Sequence, residues 1–239
     1  ECKSALDEAD GDFTRAKEIL REKGKAAAVK RAGHSTGAGS VAFATAGGKT
    51  AGIVLECETD FVALNPEFVA YAQKAAEAAV GGATSFDDIQ TEATAKFREN
   101  TKVGKVVVLD GTVATYVHHD KTKGAAVAFT GEGDLDAVKK VAIQAVAFPP
   151  EYLSKDQISQ DLLHAPPATE TKRAIDEGKP ENIAKNIAQG RVNKEVVKQV
   201  VLLEQPYYAD PAKSVAQYLA ESAKGVTVTE FAYLAVGVA

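Results

Sequence analysis

The stretch Gly52-Ile53-Val54-Leu55-Glu56-Cys57-Glu58-Thr59-Asp60-Phe61-Val62-Ala63-Leu64-Asn65-Pro66-Glu67 decides how the chain is put together. Gly52 to Leu55 reads as a half-buried strand. Asn65-Pro66-Glu67 reads as a helix start, with Asn at the cap, Pro in the first helical position and an acid in the first turn. Thr59 to Val62 therefore occupy a tight strand-to-helix corner. Such a corner holds its side chains at a fixed angle, so Phe61 is either a buried plug or an exposed apolar wedge braced by Asp60.

Downstream, the spacing predicts a helix over Pro66 to Val80 that presents Phe68, Tyr71, Ala72, Ala75 and Ala79 and stops at Gly81-Gly82. Upstream, Ser40 to Thr45 and Thr50 to Cys57 read as a hairpin joined by Ala46-Gly47-Gly48-Lys49. A polar helical stretch from Phe86 to Asn100 leads into three more strands, Val106 to Leu109, Val113 to His118 and Ala125 to Phe129. Helices flanking an antiparallel sheet make the fold class α+β.

The ends extend this plan. Cys2 to Ala9 and Phe13 to Lys23 read as a small helical module over residues 1–32, with Asp12 as a cap and Gly24 as the stop. Ala5, Leu6, Phe13, Ala16, Ile19 and Leu20 form its apolar set, which is small enough that a third helix is expected upstream. A core half over 33–133 follows. A second half over 134–158 and 201–239 opens with a helix whose stripe is Leu135, Val138, Val141, Ala142, Ala145 and Val146, stopped by Phe148-Pro149-Pro150. This half closes with a helix from Pro211 to Ser222 and a strand from Val226 to Phe231. Residues 159–200 form an insertion, two helices broken at Gly178-Lys179-Pro180, which must lie antiparallel. Ile183, Ile187, Val192, Val196 and Val200 are spaced for a narrow seam on the second of them. The pair Pro166-Pro167 bends or shortens the first.

Composition narrows the chemistry. With 239 residues and 45% hydrophobic content the chain can bury a sizeable core. Its 28 Lys and Arg stand against 33 Asp and Glu, a net charge of -5, which demotes direct nucleic-acid binding. Two cysteines, Cys2 and Cys57, make no disulfide framework, and Cys57 in a strand pattern reads as a buried reduced thiol. No run reaches the roughly 18 apolar residues of a membrane span, so a cytoplasmic or organelle-matrix protein is expected. The absence of Met and an uncapped helical start point to a fragment or processed chain.

Isolated stretches imitate chemical sites without completing one. Gly48-Lys49-Thr50 imitates the end of a phosphate loop, but it joins two strands where a strand-to-helix turn is required. A nucleotide-using enzyme built on Gly47 to Thr50 is thus the weakest reading. His118 and His119, adjacent in a strand, are expected to point to opposite faces and to share no metal. No nucleophile has a partner signature, so no cofactor, metal or covalent chemistry is expected. Several separate surfaces suit a protein that works by binding.

Five motifs in order carry a resemblance. Ala9-Asp10-Gly11-Asp12-Phe13, Cys57-Glu58-Thr59-Asp60-Phe61-Val62-Ala63, Glu151-Tyr152-Leu153-Ser154, Gly178-Lys179-Pro180-Glu181 and Leu202-Leu203-Glu204-Gln205-Pro206 together resemble the translation elongation factor Ts family, in its bacterial or plastid form. The resemblance implies a ubiquitin-associated-like N-terminal module, a two-part core and a coiled-coil hairpin. It implies nucleotide exchange on elongation factor Tu, bound both with GDP and nucleotide-free, with no direct nucleic acid and no membrane. It also implies a site at Thr59, Asp60, Phe61 and Val62, with Phe61 as a wedge beside the Mg²⁺ and phosphates of the GTPase and Asp60 as its polar partner. Gln144 stands where the family commonly has a His, which marks a secondary contact. The rival reading is a scaffold that docks on the GTPase or other partners without exchange, and the exposure of Phe61 discriminates the two.

Overall fold

A computed structural model describes residues 2–158, 168–178 and 180–238. The chain divides into two compact units, Glu1–Ala128 with Ala232–Ala239, and Phe129–Phe231.

The first unit is built on a hairpin of β1 (Ala38–Ala46) and β2 (Lys49–Cys57), with β3 (Lys102–Asp110) antiparallel on the other side of β2. The two-residue turn Gly47-Gly48 has φ of 57° and 73°, left-handed values that glycine takes at little cost and that suit the twist of a tight hairpin. The Gly-Lys-Thr stretch that imitated a phosphate loop is thus the second turn residue and the first two residues of β2. The expectation of a half-buried β2 is corrected, because the central strand is covered on both faces. Ala51, Ile53 and Leu55 pack with Phe68, Ala72, Ala75 and Ala76 of helix α4 (Pro66–Val80), while Val54 faces the other way onto Val41 and Leu234. Alanines along α4 let the helix approach the strands closely. Phe68 is fully buried there, and removing its ring is expected to cost about 3–5 kcal/mol. Asn65 caps α4 as its sequence predicts, accepting from the Glu67 N–H at 2.9 Å.

Helices α1 (Cys2–Glu8) and α2 (Phe13–Arg31) belong to the same unit. Asp12 caps α2, its carboxylate accepting from the N–H groups of Thr14 and Arg15. Ala5, Ala9, Ala16 and Ile19 make the small buried cluster, but Phe13, expected within it, is 73% exposed. Gly24 does not stop the helix, which continues to Arg31. The glycine is instead a point of close approach to helix α5 (Asp87–Phe97), where an added Cβ would lie 3.3 Å from that of Ala95. Strands β4 (Thr112–Val117) and β5 (Lys123–Thr130) come next in the chain and share a second sheet, of order β4-β5-β8, with the last strand β8 (Thr227–Ala235).

In the second unit, α6 (Leu135–Ala147) buries Val138, Val141, Ala142 and Val146, whereas Leu135 at its start is exposed. The helix expected from Pro211 begins four residues later. Asp210–Ser214 pairs with Pro206–Tyr207 as strands β7 and β6, and Ser214 then opens α9 (Val215–Ser222) through a reciprocal capping box with Gln217. Helices α7 (Ala168–Asp176) and α8 (Glu181–Val200) pack against each other. Ala174 on the first and Ala184 and Ala188 on the second are fully buried, and Ile183 of the predicted seam is 46% exposed. Pro166, Pro167 and the side chain of Val192 lie outside the described residues.

Candidate functional site

At the end of β2 the chain leaves the core and turns at Thr59, whose extended backbone (φ -124°, ψ 154°) makes it the cap of a helical turn, α3 (Asp60–Ala63). This turn, absent from the expected elements, fills the corner between β2 and α4. Its inner side is fixed by burial. Ala63 is buried and its carbonyl accepts from the buried Ser40 hydroxyl at 2.8 Å, while Val62 packs against the core that α4 covers. Beneath the corner, the Cys57 thiol donates to the Thr59 carbonyl at 3.2 Å, and burial pushes this thiol up to about 12. It is the inert reduced cysteine its position suggested.

The outer side is apolar and open. Phe61 is 85% exposed, and Leu64, three residues on at the cap closing α3, is exposed too. Of the two readings of Phe61, plug or exposed group, its exposure decides for the second. Asp60, also exposed, accepts from the Phe61 N–H at 3.0 Å, and the Thr59 hydroxyl accepts from the Val62 N–H at 3.4 Å. Thr59, Asp60, Phe61 and Val62 are thus brought together on one helical turn.

The polar frame around them contains residues that sequence reading missed. Glu99, just beyond α5, accepts with one carboxylate oxygen from the Glu58 and Thr59 N–H groups, both at 3.0 Å, and with the other from the Thr59 hydroxyl at 2.6 Å. Arg98 before it has φ 58°, an uncommon left-handed value for a residue with a side chain. Glu58 in turn faces the other way. Its carboxylate accepts from the Asn100 N–H at 2.6 Å, and the Arg31 guanidinium and His34 ring lie 3.1 Å from its oxygens. The Asn100 N–H first, helped by His34 and Arg31, holds this carboxyl below the usual carboxylate range against the opposing effect of burial. The Asn100 amide also donates to the His34 carbonyl at 2.8 Å. No local pattern marks these partners, because Glu99 lies 40 residues beyond Thr59 and Arg31 lies 27 residues before Glu58, and they meet the corner only in the fold.

Gln144 is fully buried in the second unit. Its amide donates to Gln205 Oε1 at 3.0 Å and to the Pro206 carbonyl at 3.2 Å, and it accepts from the Tyr208 N–H at 2.8 Å. A cavity of about 630 Å³ beside it is lined by Phe148, Pro149, Pro206 and Tyr208.

The histidine pair departs from expectation. Strand β4 ends at Val117, so alternation across a strand no longer applies, and the His118 and His119 rings lie with centroids 4.3 Å apart. Among the described residues, no group of three or more His, Cys, Asp or Glu is arranged to hold a metal ion. No helix among them is long and apolar enough to cross a membrane.

The fold and corner together define an α+β protein that presents an exposed phenylalanine on a helical turn pinned from beneath and from the side. Comparison with known proteins places this class. The family described as Elongation factor TS matches residues 58–238. The chain is 38% identical to elongation factor Ts of Nocardia farcinica over 261 residues, covering 99% of this chain and 92% of that one. It is 34% identical to the Shewanella amazonensis protein of the same name over 245 residues, covering 99% and 84%. The chain belongs to the elongation factor Ts family of translation elongation factors.

Proposed function

We propose that this chain promotes release of GDP from elongation factor Tu, with Phe61 as an apolar wedge against the Mg²⁺ and phosphate site of that GTPase. The observation that carries the proposal is an 85% exposed Phe61 on a turn whose neighbours are buried or hydrogen-bonded. A large apolar group held out in water at a fixed angle gains most by entering a partner. A GTPase holds its nucleotide through backbone donors and a metal ion, so displacement of either loosens the rest without a covalent step. Asp60 stands beside the wedge as the polar partner for groups freed there.

Linkage completes the cycle. A factor that weakens nucleotide binding is itself bound more weakly when nucleotide is present, by the same free energy, so incoming GTP releases it. Other surfaces are assigned to docking: residues 1–32 as a ubiquitin-associated-like helical module, and the 159–200 insertion as a coiled-coil arm. The buried Gln144 takes part in a secondary contact indirectly, by holding Tyr208, which is exposed. The place of action is where elongation factor Tu works, the cytoplasm or the plastid stroma.

The test is release of a fluorescent GDP from elongation factor Tu at matched Mg²⁺, with and without this chain. Acceleration at substoichiometric amounts of the chain supports the reading. Binding to elongation factor Tu without acceleration contradicts it and leaves a scaffold.

A further inference from the structure

We infer that Glu99 is a positioning residue for the exchange site: its carboxylate fixes Thr59, and through Thr59 the angle at which Phe61 leaves the surface. The inference rests on the function proposed above. Three observations carry it. Glu99 makes three hydrogen bonds, at 3.0, 3.0 and 2.6 Å, all of them to the two residues that immediately precede α3. Thr59 is the residue on which the turn depends, since its carbonyl accepts from the Ala63 N–H at 3.1 Å and its hydroxyl accepts from the Val62 N–H. The chain reaches Glu99 through the left-handed Arg98, a conformation that costs free energy in isolation and is retained where the surroundings over-determine it.

A helix of a single turn cannot hold itself in water, because nucleation fixes several residues for one hydrogen bond. Ala63 and Ser40 anchor its end. At its start, the Glu58 and Thr59 N–H groups have no strand partner, and Glu99 supplies one for both. Asn100, the next residue, binds Glu58 from the opposite side and reaches the His34 carbonyl. The Glu99-Asn100 turn thus clamps the corner and joins it to the end of α2, whose Arg31 lies on Glu58. A side chain that misses its target by about 1 Å can lose about a hundredfold in rate, so an anchor of this kind matters to exchange although it touches no nucleotide.

The substitutions separate geometry from charge. Glu99→Gln keeps an oxygen for the two N–H groups and places its amide where the Thr59 hydroxyl can accept, so the corner is preserved without the negative charge. Glu99→Ala removes all three bonds.

Two readouts on the full chain test the inference. In amide hydrogen exchange, the Val62 and Ala63 N–H groups are expected to exchange about tenfold faster in Glu99→Ala and near the parent rate in Glu99→Gln, with buried β2 amides unchanged. In stimulated GDP release, Glu99→Ala is expected to lower kcat about tenfold with KM for elongation factor Tu within about twofold, and Glu99→Gln to restore kcat. Adding Glu99→Ala to Phe61→Ala is expected to produce no further loss, because the brace acts through the wedge. Unchanged Val62 and Ala63 exchange in Glu99→Ala overturns the inference, as does an equal loss of kcat in both variants or full additivity with Phe61→Ala. If the unmodified chain stimulates no release, the exchange function fails, and hydrogen exchange alone judges the brace.

Discussion

The corner at Thr59 puts its apolar group outside and its polar partners half inside, whereas Gln144 and Gln205 bury two amides in the second unit. Both break the usual sorting of side chains, and both are fully hydrogen-bonded. Gln205 accepts from Gln144 and donates to the Phe148 and Gln199 carbonyls at 2.9 and 2.8 Å, so neither amide is left wanting a partner. The difference lies in what the bonds hold. At Gln144 they tie the end of α6 to the strand segment at Pro206 and Tyr208, so the interior is the beneficiary. At Thr59 they hold a side chain that contributes little to the fold, and the beneficiary is a surface.

Substitutions therefore separate the two regions, and the largest effect is expected in the interior. Gln144→Leu strands Gln205 Oε1 in a buried site, where an unpaired group costs about 1–3 kcal/mol, and takes a partner from the part-buried Pro206 carbonyl and Tyr208 N–H. Urea unfolding should show a loss of about 3 kcal/mol. A loss under about 0.5 kcal/mol, the size of an ordinary surface substitution, would break the contrast. Thr59→Ala removes a cap at the corner and is expected to cost about 1 kcal/mol in the same assay.

Acid distinguishes the regions further. The folded Glu58 carboxyl sits below its unfolded value, so its stabilising contribution is present above the ordinary carboxylate range of about 4.3 and is lost as pH falls through the lower folded value. The Asn100 amide resonance should hold its position down to about pH 5 and move only below about pH 4, while the side-chain amides of Gln144 and Gln205, which do not titrate there, stay in place. Absence of any movement of Asn100 below about pH 4 would refute the assignment to Glu58.

The smallest expected change is in thiol labelling at about pH 8. Cys2 is exposed and Cys57 buried with its thiol pushed up to about 12, so one thiol should react in the native protein and the second only on denaturation. Labelling of Cys57 at the native rate of Cys2 would mean that the corner opens.

What was legible in the sequence follows the range of the forces involved. The β1–β2 turn and the start of α4 depend on Gly47-Gly48 and Asn65-Pro66, where the deciding residues are neighbours in the chain. Gly24 shows the limit of that method. The same residue type that stops a helix also lets two helices meet, and only the position of Ala95 in the fold tells which. His118 and His119 fail for a related reason, since alternation holds only while the strand continues and β4 ends one residue too soon. The burial of Ala184 and Ala188 on α8 was hidden because spacing alone favoured the larger Ile183. At the site, the Thr59-to-Val62 corner was legible from the abrupt change of pattern around it. Glu99, Asn100 and Arg31 were not, because each is an ordinary polar residue until the fold brings it to the corner.

The most direct measurement of the central claim compares the full chain with Phe61→Ala in release of fluorescent GDP from elongation factor Tu at fixed Mg²⁺. An exposed side chain contributes little to folding, so the variant should unfold within about 0.5 kcal/mol of the parent. Its stimulated release should fall about thirtyfold or more, the effect of removing an aromatic that dominates a contact. A Phe61→Ala chain that folds, binds and releases GDP as fast as the parent would contradict the account.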